Sequence, residues 1–284
     1  MAGPGPGDTP PLREVIARHG LSARRSLGQH FLLDPNLTRR IARAAGPLGG
    51  IQVIEVGPGP GGLTRALLSE GAAHVHAIER DARCIGALRE LEATAGGRLT
   101  IVEGDAREVD VAALAPPPRR IVANLPYNLS TVLLRRWLGQ ADAFECLTLM
   151  FQKEVADRLV AAPGSKTYGR LSILAQWLCE VRILFEIPAA AFTPPPKVTS
   201  ALVGLRPRAE PLAPAEIGAL ERVTGAAFGQ RRKMLRSSLR ALGGDAGALL
   251  AAAGIDPTAR AETLTVTQLC ALAREYSARE MRKC

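Results

Sequence analysis

The feature that most constrains this chain is a glycine-rich run, Glu55-Val-Gly-Pro-Gly-Pro-Gly-Gly-Leu-Thr64, set between a short apolar stretch and an amphipathic one. Residues 51–56 read as a buried parallel strand and 63–70 as a helix, so the run is a strand-to-helix turn of an α/β protein. Gly57, Gly59 and Gly61 put no Cβ between the backbone and a ligand. The spacing alone is shared with dinucleotide enzymes, and a tight turn with no ligand would use the same residues. Two details favour a methyl donor over a dinucleotide. Pro58 and Pro60 stiffen the loop, and Glu55, at the strand end, is placed to face a cationic amino-acid group.

The pattern around the loop extends the α/β reading. Strand-like segments at 75–79, 99–103, 119–124, 146–151, 181–187 and 201–205 alternate with helical ones through 91 and at 131–138, 154–160 and 171–178. This rhythm predicts a Rossmann-like, mostly parallel sheet with helices on both faces. The proline-rich stretch 206–214 reads as a linker, and beyond it helices are expected at 216–228, 231–242, 246–253 and 267–276. The expected organisation is a frayed or disordered tail with a short helix over 1–23, a ligand-binding catalytic domain over 24–205, and a small all-helical domain over 206–284.

In such a sheet ligands bind at the carboxyl ends of the strands. Glu55, Glu79 and Asp105 each end or follow a strand, in order. Glu79 stands about twenty residues past the loop, where a carboxylate accepts from ribose hydroxyls; an ordinary strand-end charge would look the same. Asp105 is placed to accept from an adenine amine. The convergence of the three acids weighs more than any one of them.

After the fourth strand comes Asn124-Leu125-Pro126-Tyr127. An exocyclic adenine amine is a poor nucleophile because its lone pair is delocalised into the ring. Two hydrogen-bond acceptors, the Asn124 side-chain oxygen and the Leu125 carbonyl, would draw the nitrogen toward tetrahedral geometry. Pro126 has no N–H to compete locally, and Tyr127 offers a ring for stacking on the base. Catalysis would then be mainly positioning for in-line transfer. The alternative is a turn before a helix, in which Asn and Pro serve turn chemistry.

The net charge of +9 and pI near 9.9 point to a polyanionic partner, or else to a generally solvated basic surface. The most informative basic run is Gln230-Arg231-Arg232-Lys233-Met-Leu-Arg236-Ser-Ser-Leu-Arg240. On one helix Arg232, Arg236 and Arg240 would form a stripe for RNA phosphates, beside an apolar face; a solvated helix face is the other reading. Lys153, Arg158, Lys166, Arg170 and Lys197 are candidates to extend the basic surface. The five cysteines include no CxxC pair, which disfavours a zinc knuckle or disulfide framework and fits a reduced, cytoplasmic setting with no metal. No apolar run is long enough to span a bilayer, and the start has neither signal-peptide nor transit-peptide character.

Together with the loop and the tetrad, the runs from Arg25-Ser-Leu-Gly-Gln-His-Phe-Leu32 to Asp34, IERD at 78–81, GDA at 104–106, NLPYNLST at 124–131, FQKEVADRL at 151–159, YGRLSI at 168–173, FTPPPKVTSALV at 192–203 and FGQRRKMLRSSL at 228–239 resemble the bacterial small-subunit (16S) rRNA adenine N6-dimethyltransferases. The likeness runs from about residue 24 to about residue 272. It implies S-adenosyl-L-methionine as methyl donor and S-adenosylhomocysteine as product. It also implies two methyl groups on each of two adjacent adenosines in the 3′-terminal hairpin of small-subunit rRNA, within a pre-30S particle, by a monomeric protein. Matching positions carry over Gln29, His30, Leu32, Gly57, Glu79, Arg80, Asp105, Ala106 and Asn124 as donor-binding, with Glu55 and Gly59 from the loop. His30 and Leu32 contribute backbone contacts, and His30 stands where Asn is often found. Phe192 resembles a second aromatic that closes the base pocket opposite Tyr127, while the residues alone read equally as a core aromatic before a proline turn. A DNA adenine methyltransferase usually begins the tetrad with an acid. A large-subunit rRNA adenine methylase is nearer, and the 151–159 and 192–198 runs favour the small-subunit enzyme. A non-enzymatic RNA-binding protein would not need Glu55, Glu79, Asp105 and the tetrad intact.

Overall fold

The computed structural model describes residues 10–24 and 27–282. Within them the chain forms nine strands: β1 (Phe31–Leu32), β2 (Gln52–Val56), β3 (His74–Glu79), β4 (Leu99–Glu103), β5 (Arg119–Asn124), β6 (Cys146–Gln152), β7 (Cys179–Ile187), β8 (Phe192–Thr193) and β9 (Ser200–Pro207). Seven form one sheet in the order β4-β3-β2-β5-β6-β9-β7. β4 through β6 pair in parallel, and β9 runs antiparallel to β6. The runs in β2 and β6 are apolar with hardly a break because their residues are buried on both faces. β1 and β8 form a separate two-residue antiparallel ribbon, Phe31 opposite Thr193 and Leu32 opposite Phe192.

The strand order reverses at β2, which places the ends of β2, β3, β4 and β5 on one rim. The helices between these strands start in different ways. Asp81 accepts from the Arg83 amide at the start of Ala82–Thr94, and Gly61, at φ +89°, opens Gly62–Ser69. A helix not foreseen from the pattern, Pro35–Ala44, is capped by Asp34, which accepts from the Asn36 amide at 2.8 Å, with Pro35 at its first position.

The chain divides into two compact units. One runs to Ala156 and resumes over Arg182–Pro207; the other joins Asp157–Val181 to Arg208 and beyond. The boundary expected at 205/206 thus omits the earlier insertion, residues 157–181. The cause lies in the polar stretch 206–214, which is tied to the helix Arg170–Leu178 and does not run free. Arg208 and Leu212 donate their amides to the carbonyls of Leu178 and Trp177, and the Trp177 indole donates to Ala213 at 2.7 Å. In the same unit Tyr168 meets Phe228 edge-on.

Two further expectations differ. The short helix expected in the tail over 1–23 is Leu12–Arg18, but this part is anchored and not frayed: Val15 and Leu21 bury against Cys84 and Ala87. Residues 1–9, Arg25, Ser26, Lys283 and Cys284 lie outside the described residues. The continuous helix expected at 231–242 is broken. Helix Ile217–Gly229 ends first, 231–234 form a turn, and only Leu235–Ser238 is α-helical, followed by a 3-10 turn at Leu239–Leu242. Met234 pairs with Arg260 as an isolated bridge, and the amides of Leu235 and Arg236 donate to Ala259 and Pro257. These amides are first-turn donors with no helical partner, and the facing loop supplies their acceptors.

Candidate active site

The rim of the sheet carries a cavity bounded by the glycine loop, the segment 27–32, and the ends of β3, β4 and β5. Gly57 and Gly59 sit at φ +72° and +56°, which excludes side chains on steric grounds. The packing is close: a Cβ on Gly62 would lie 2.7 Å from the Leu32 carbonyl oxygen. The loop is therefore pressed against β1, and Leu32 forms part of the cavity wall.

Glu55 is 1% exposed, and its Oε2 is buried with no hydrogen-bond partner. Burial pushes its carboxyl up to about 8; Thr64 alongside opposes this and Glu79 adds to it. Such a carboxylate, lining a cavity, is made to receive a cationic group. Glu79 accepts from the Gly59 amide (2.9 Å) and the Asp81 amide (2.7 Å). Burial raises its pKa against the pull of these amides. Each oxygen retains acceptor capacity for ribose hydroxyls. Asp105 is forked by Arg107, with Nη2 to Oδ2 at 2.7 Å, and touched by Arg80 at 3.3 Å. The Arg107 hydrogen bonds hold its carboxyl down at about 2, so it is ionised throughout the neutral range. Ala106 lines the cavity beside it.

Gln29 lines the cavity, but its side-chain amide is engaged by the protein. It donates to Asp81 at 2.8 Å and accepts from the Arg24 amide at 2.9 Å. It thereby fastens the segment 27–32 to the start of the helix after β3.

At the end of β5 the Asn124 side chain donates through Nδ2 to the His30 carbonyl at 3.1 Å. This bond fixes the orientation of the amide and turns Oδ1 out as an acceptor. The helix Tyr127–Leu138 begins after Pro126, and its first amides, from Leu129 and Ser130, go to the Pro126 carbonyl. The Leu125 carbonyl therefore takes neither of these amides, and Leu125 lines the cavity. Tyr127 is held by its hydroxyl, 2.6 Å from Ser200 Oγ, and its ring stacks with His30 at 5.6 Å between centroids.

Phe192 stands apart from the other expected site residues. It is 2% exposed, packs in the hydrophobic core, and meets the site residues through its pairing with Leu32 and an edge contact with His30. Sequence reasoning missed Ser200 as the anchor of Tyr127, since a serine opening a strand gives no signal of its own. It also missed the His30–Asn124 bond, which needs the fold to bring the two together.

In the second unit, Arg232, Lys233, Arg236 and Arg240 are exposed. Arg231 is not available in the same way: its Nε donates to Glu262 at 2.7 Å and its Nη2 to the Ser165 carbonyl at 3.1 Å. Lys153 pairs with Glu186. The described residues contain no cluster of three or more metal-ligating side chains, and no helix among them is long and apolar enough to cross a membrane.

A mixed seven-stranded sheet with a glycine loop after β2 and acids at the ends of β3 and β4 is the arrangement of the Rossmann-like class I methyltransferases. Two solved structures share it over most of their length. A dimethyladenosine transferase from Plasmodium falciparum matches with a TM-score of 0.78 at 26% identity, covering 88% of this chain and 98% of that one. The 23S rRNA methyltransferase ErmE matches with a TM-score of 0.64 at 29% identity, covering 87% and 99%. The profile of the ribosomal RNA adenine dimethylases matches residues 20–278, and the chain belongs to that family. Ribosomal RNA small subunit methyltransferase A of Rhodospirillum rubrum is 65% identical over 274 residues, covering 96% of this chain and 95% of that protein. Its counterpart in Paramagnetospirillum magneticum is 66% identical over 274 residues, covering 96% and 97%.

S-adenosyl-L-methionine is the methyl donor of this family, and the residues present fit it. The unpartnered Glu55 oxygen suits its ammonium group, Glu79 the ribose, and Asp105 with Ala106 the adenine.

Proposed function

We propose that this protein dimethylates N6 of two adjacent adenosines in the 3′-terminal hairpin of 16S rRNA, acting as a cytoplasmic monomer on a pre-30S particle. The observation that carries the reading is the fixed Asn124 amide. With Nδ2 committed to the His30 carbonyl, Oδ1 can only accept, which is what an amine nucleophile requires. The names of the relatives at 65% and 66% identity support the small subunit as target.

When bound, the donor supplies an electrophilic methyl group on a positively charged sulfur. The chain supplies the rest. Glu55, Glu79 and Asp105 orient the donor along the rim. Asn124 Oδ1 and the Leu125 carbonyl accept the two N–H groups of the adenine amine and localise its lone pair. Tyr127, fixed by Ser200, holds the base plane. No general base is needed before transfer, because the methylated amine sheds its proton readily. The helical unit bears the exposed Arg232, Lys233, Arg236 and Arg240, whose guanidinium and ammonium groups suit phosphates. The test is incubation of methylation-deficient small-subunit particles with protein and donor, followed by primer extension across the terminal hairpin. A stop at two neighbouring adenosines supports the reading, and read-through refutes it.

A further inference from the structure

Arg83 stands outside the donor cavity, at the crossing of three segments that build it. It lies in the first turn of the helix Ala82–Thr94, its side chain is 27% exposed, and it does not line the cavity. Its Nε and Nη2 donate to the two Asp81 oxygens at 2.9 and 2.6 Å. Its Nη1 donates to the Ser22 carbonyl at 3.1 Å, and Nη2 also reaches Gln29 Oε1 at 3.4 Å. The pair of bonds to Asp81 is a planar fork on a carboxylate that is only 4% exposed. One guanidinium thus joins the helix start after β3, the segment that follows the helix Leu12–Arg18, and the donor segment 27–32.

Asp81 in turn sets two groups of the cavity. Its Oδ2 accepts from Gln29 Nε2 at 2.8 Å, and its amide donates to Glu79 Oε1 at 2.7 Å. Gln29 Oε1 accepts from the Arg24 amide as well as from Arg83, which fills the acceptor capacity of an amide oxygen. The orientation of the Gln29 amide is therefore fixed, and its second Nε2 hydrogen is what remains for a ligand. Burial raises the Asp81 pKa, but the hydrogen bonds from Arg83 and Gln29 outweigh it and hold the carboxyl below its ordinary value. Without the guanidinium, Asp81 would be a buried carboxylate with no counter-charge forked onto it. Such a group turns toward water or takes up a proton, and either change loosens its hold on Gln29.

We propose that Arg83 is a positioning residue for the methyl donor: acting through Asp81, it holds Gln29 and Glu79 in the relative placement that the donor requires. It touches neither the cavity nor the tetrad, so its effect falls on donor affinity and not on the transfer step. Lysine cannot replace it, because one ammonium is a point charge that cannot fork a carboxylate and reach Gln29 and Ser22 at the same time. Asp105, by contrast, is held by Arg107 and Arg80 and shares no hydrogen-bond partner with Arg83, so the adenine end of the cavity is independent of this brace.

The test is a double-mutant cycle on the affinity for S-adenosylhomocysteine, measured by calorimetry. Arg83→Ala and Gln29→Ala should each weaken binding about tenfold, the scale of losing a hydrogen bond to a charged group. Combined, they should weaken it little more than either alone, within about threefold, because both break the same brace. Arg83→Ala combined with Asp105→Asn should instead multiply the two separate losses. Arg83→Lys should recover only part of the affinity. Turnover of Arg83→Ala at saturating donor, on methylation-deficient small-subunit particles, should stay within about threefold of wild type while the donor KM rises about tenfold; this arm alone rests on the acceptor proposed above. Unchanged affinity in Arg83→Ala overturns the inference. So do losses that multiply in the Gln29 pair, the same non-additivity in the Asp105 pair, which marks a general loosening, full recovery by Lys, and a turnover loss as large as the affinity loss. If Arg83→Ala does not fold, Arg83→Lys carries the same cycle, with a loss of about threefold expected and wild-type affinity overturning the inference. A wild type that does not bind S-adenosylhomocysteine refutes the donor site itself. A wild type that binds it, with affinity unaltered in the variants, refutes only the role of Arg83.

Discussion

Replacing Glu55 with Gln separates the cost of a buried carboxylate from its use. Glu55 lies 1% exposed at the end of β2, with Oε2 unpartnered, and burial lifts its carboxyl from an ordinary 4.5 to about 8. A folded-state pKa above the unfolded one means that the folded chain binds the proton more tightly. Its stabilising effect is complete below pH 4.5 and fades as pH rises through 8. At 1.36 kcal/mol per pH unit, the whole difference is about 5 kcal/mol, reached above pH 8 in the donor-free protein. Gln keeps the shape and cannot ionise. Urea unfolding should therefore give Glu55→Gln a stability near wild type at pH 5 and higher than wild type at pH 9, by up to about 5 kcal/mol. Glu79, also raised by burial, is present in both proteins, so the difference isolates Glu55. A cationic ligand group reverses the preference by favouring the ionised carboxylate. Wild-type affinity for S-adenosylhomocysteine, measured by calorimetry, should rise between pH 6 and 8 by at most about tenfold per pH unit, and Glu55→Gln should bind more weakly with a flatter slope. Parallel stability curves for the two proteins, or an unchanged binding slope in the variant, would refute the reasoning.

Asn124→Ala should keep donor affinity within a few-fold while turnover falls roughly 100-fold or more, the scale of losing one preorganised partner of a reacting group; unchanged turnover removes its role. Gly62→Ala places a Cβ 2.7 Å from the Leu32 carbonyl oxygen, and overpacking of this kind costs about 1–3 kcal/mol. Thermal unfolding should drop by several degrees and donor affinity should weaken, whereas a wild-type melting curve would show that β1 yields freely. Arg231→Ala breaks contacts to Glu262 and Ser165 and should lower stability by roughly 0.5–1 kcal/mol. Charge reversal at the exposed Arg232 and Arg236 should instead leave the melting curve intact and weaken particle binding, with a shallower salt dependence. Equal behaviour of the two sets in both assays would erase the distinction.

The acids and the tetrad were legible because buried parallel strands announce themselves as apolar runs and their ends define a rim. Glu55, Glu79, Asp105 and Asn124 could be placed there without coordinates. The ribbon of Phe31–Leu32 with Phe192–Thr193 was not legible, since two residues carry no period. Its absence hid both the position of His30 and the burial of Phe192. The helix Pro35–Ala44 went unseen although Asp34-Pro35 is a cap followed by a first-position proline. The basic run at 231–240 carries a helical period, yet the Met234–Arg260 bridge and the loop carbonyls of Pro257 and Ala259 set the chain direction there. Residues far along the chain overrode a local pattern, and this removed Arg231 from the set available to phosphates.

The central claim is that the cavity transfers methyl groups to N6 of two neighbouring adenosines. The most direct measurement is mass spectrometry of the 3′-terminal fragment of small-subunit rRNA after methylation-deficient particles are treated with protein and donor. The account predicts a gain of four methyl groups, two on each of two adjacent adenosines, abolished in Asn124→Ala. No mass gain in that fragment, or methylation of another base, would contradict it.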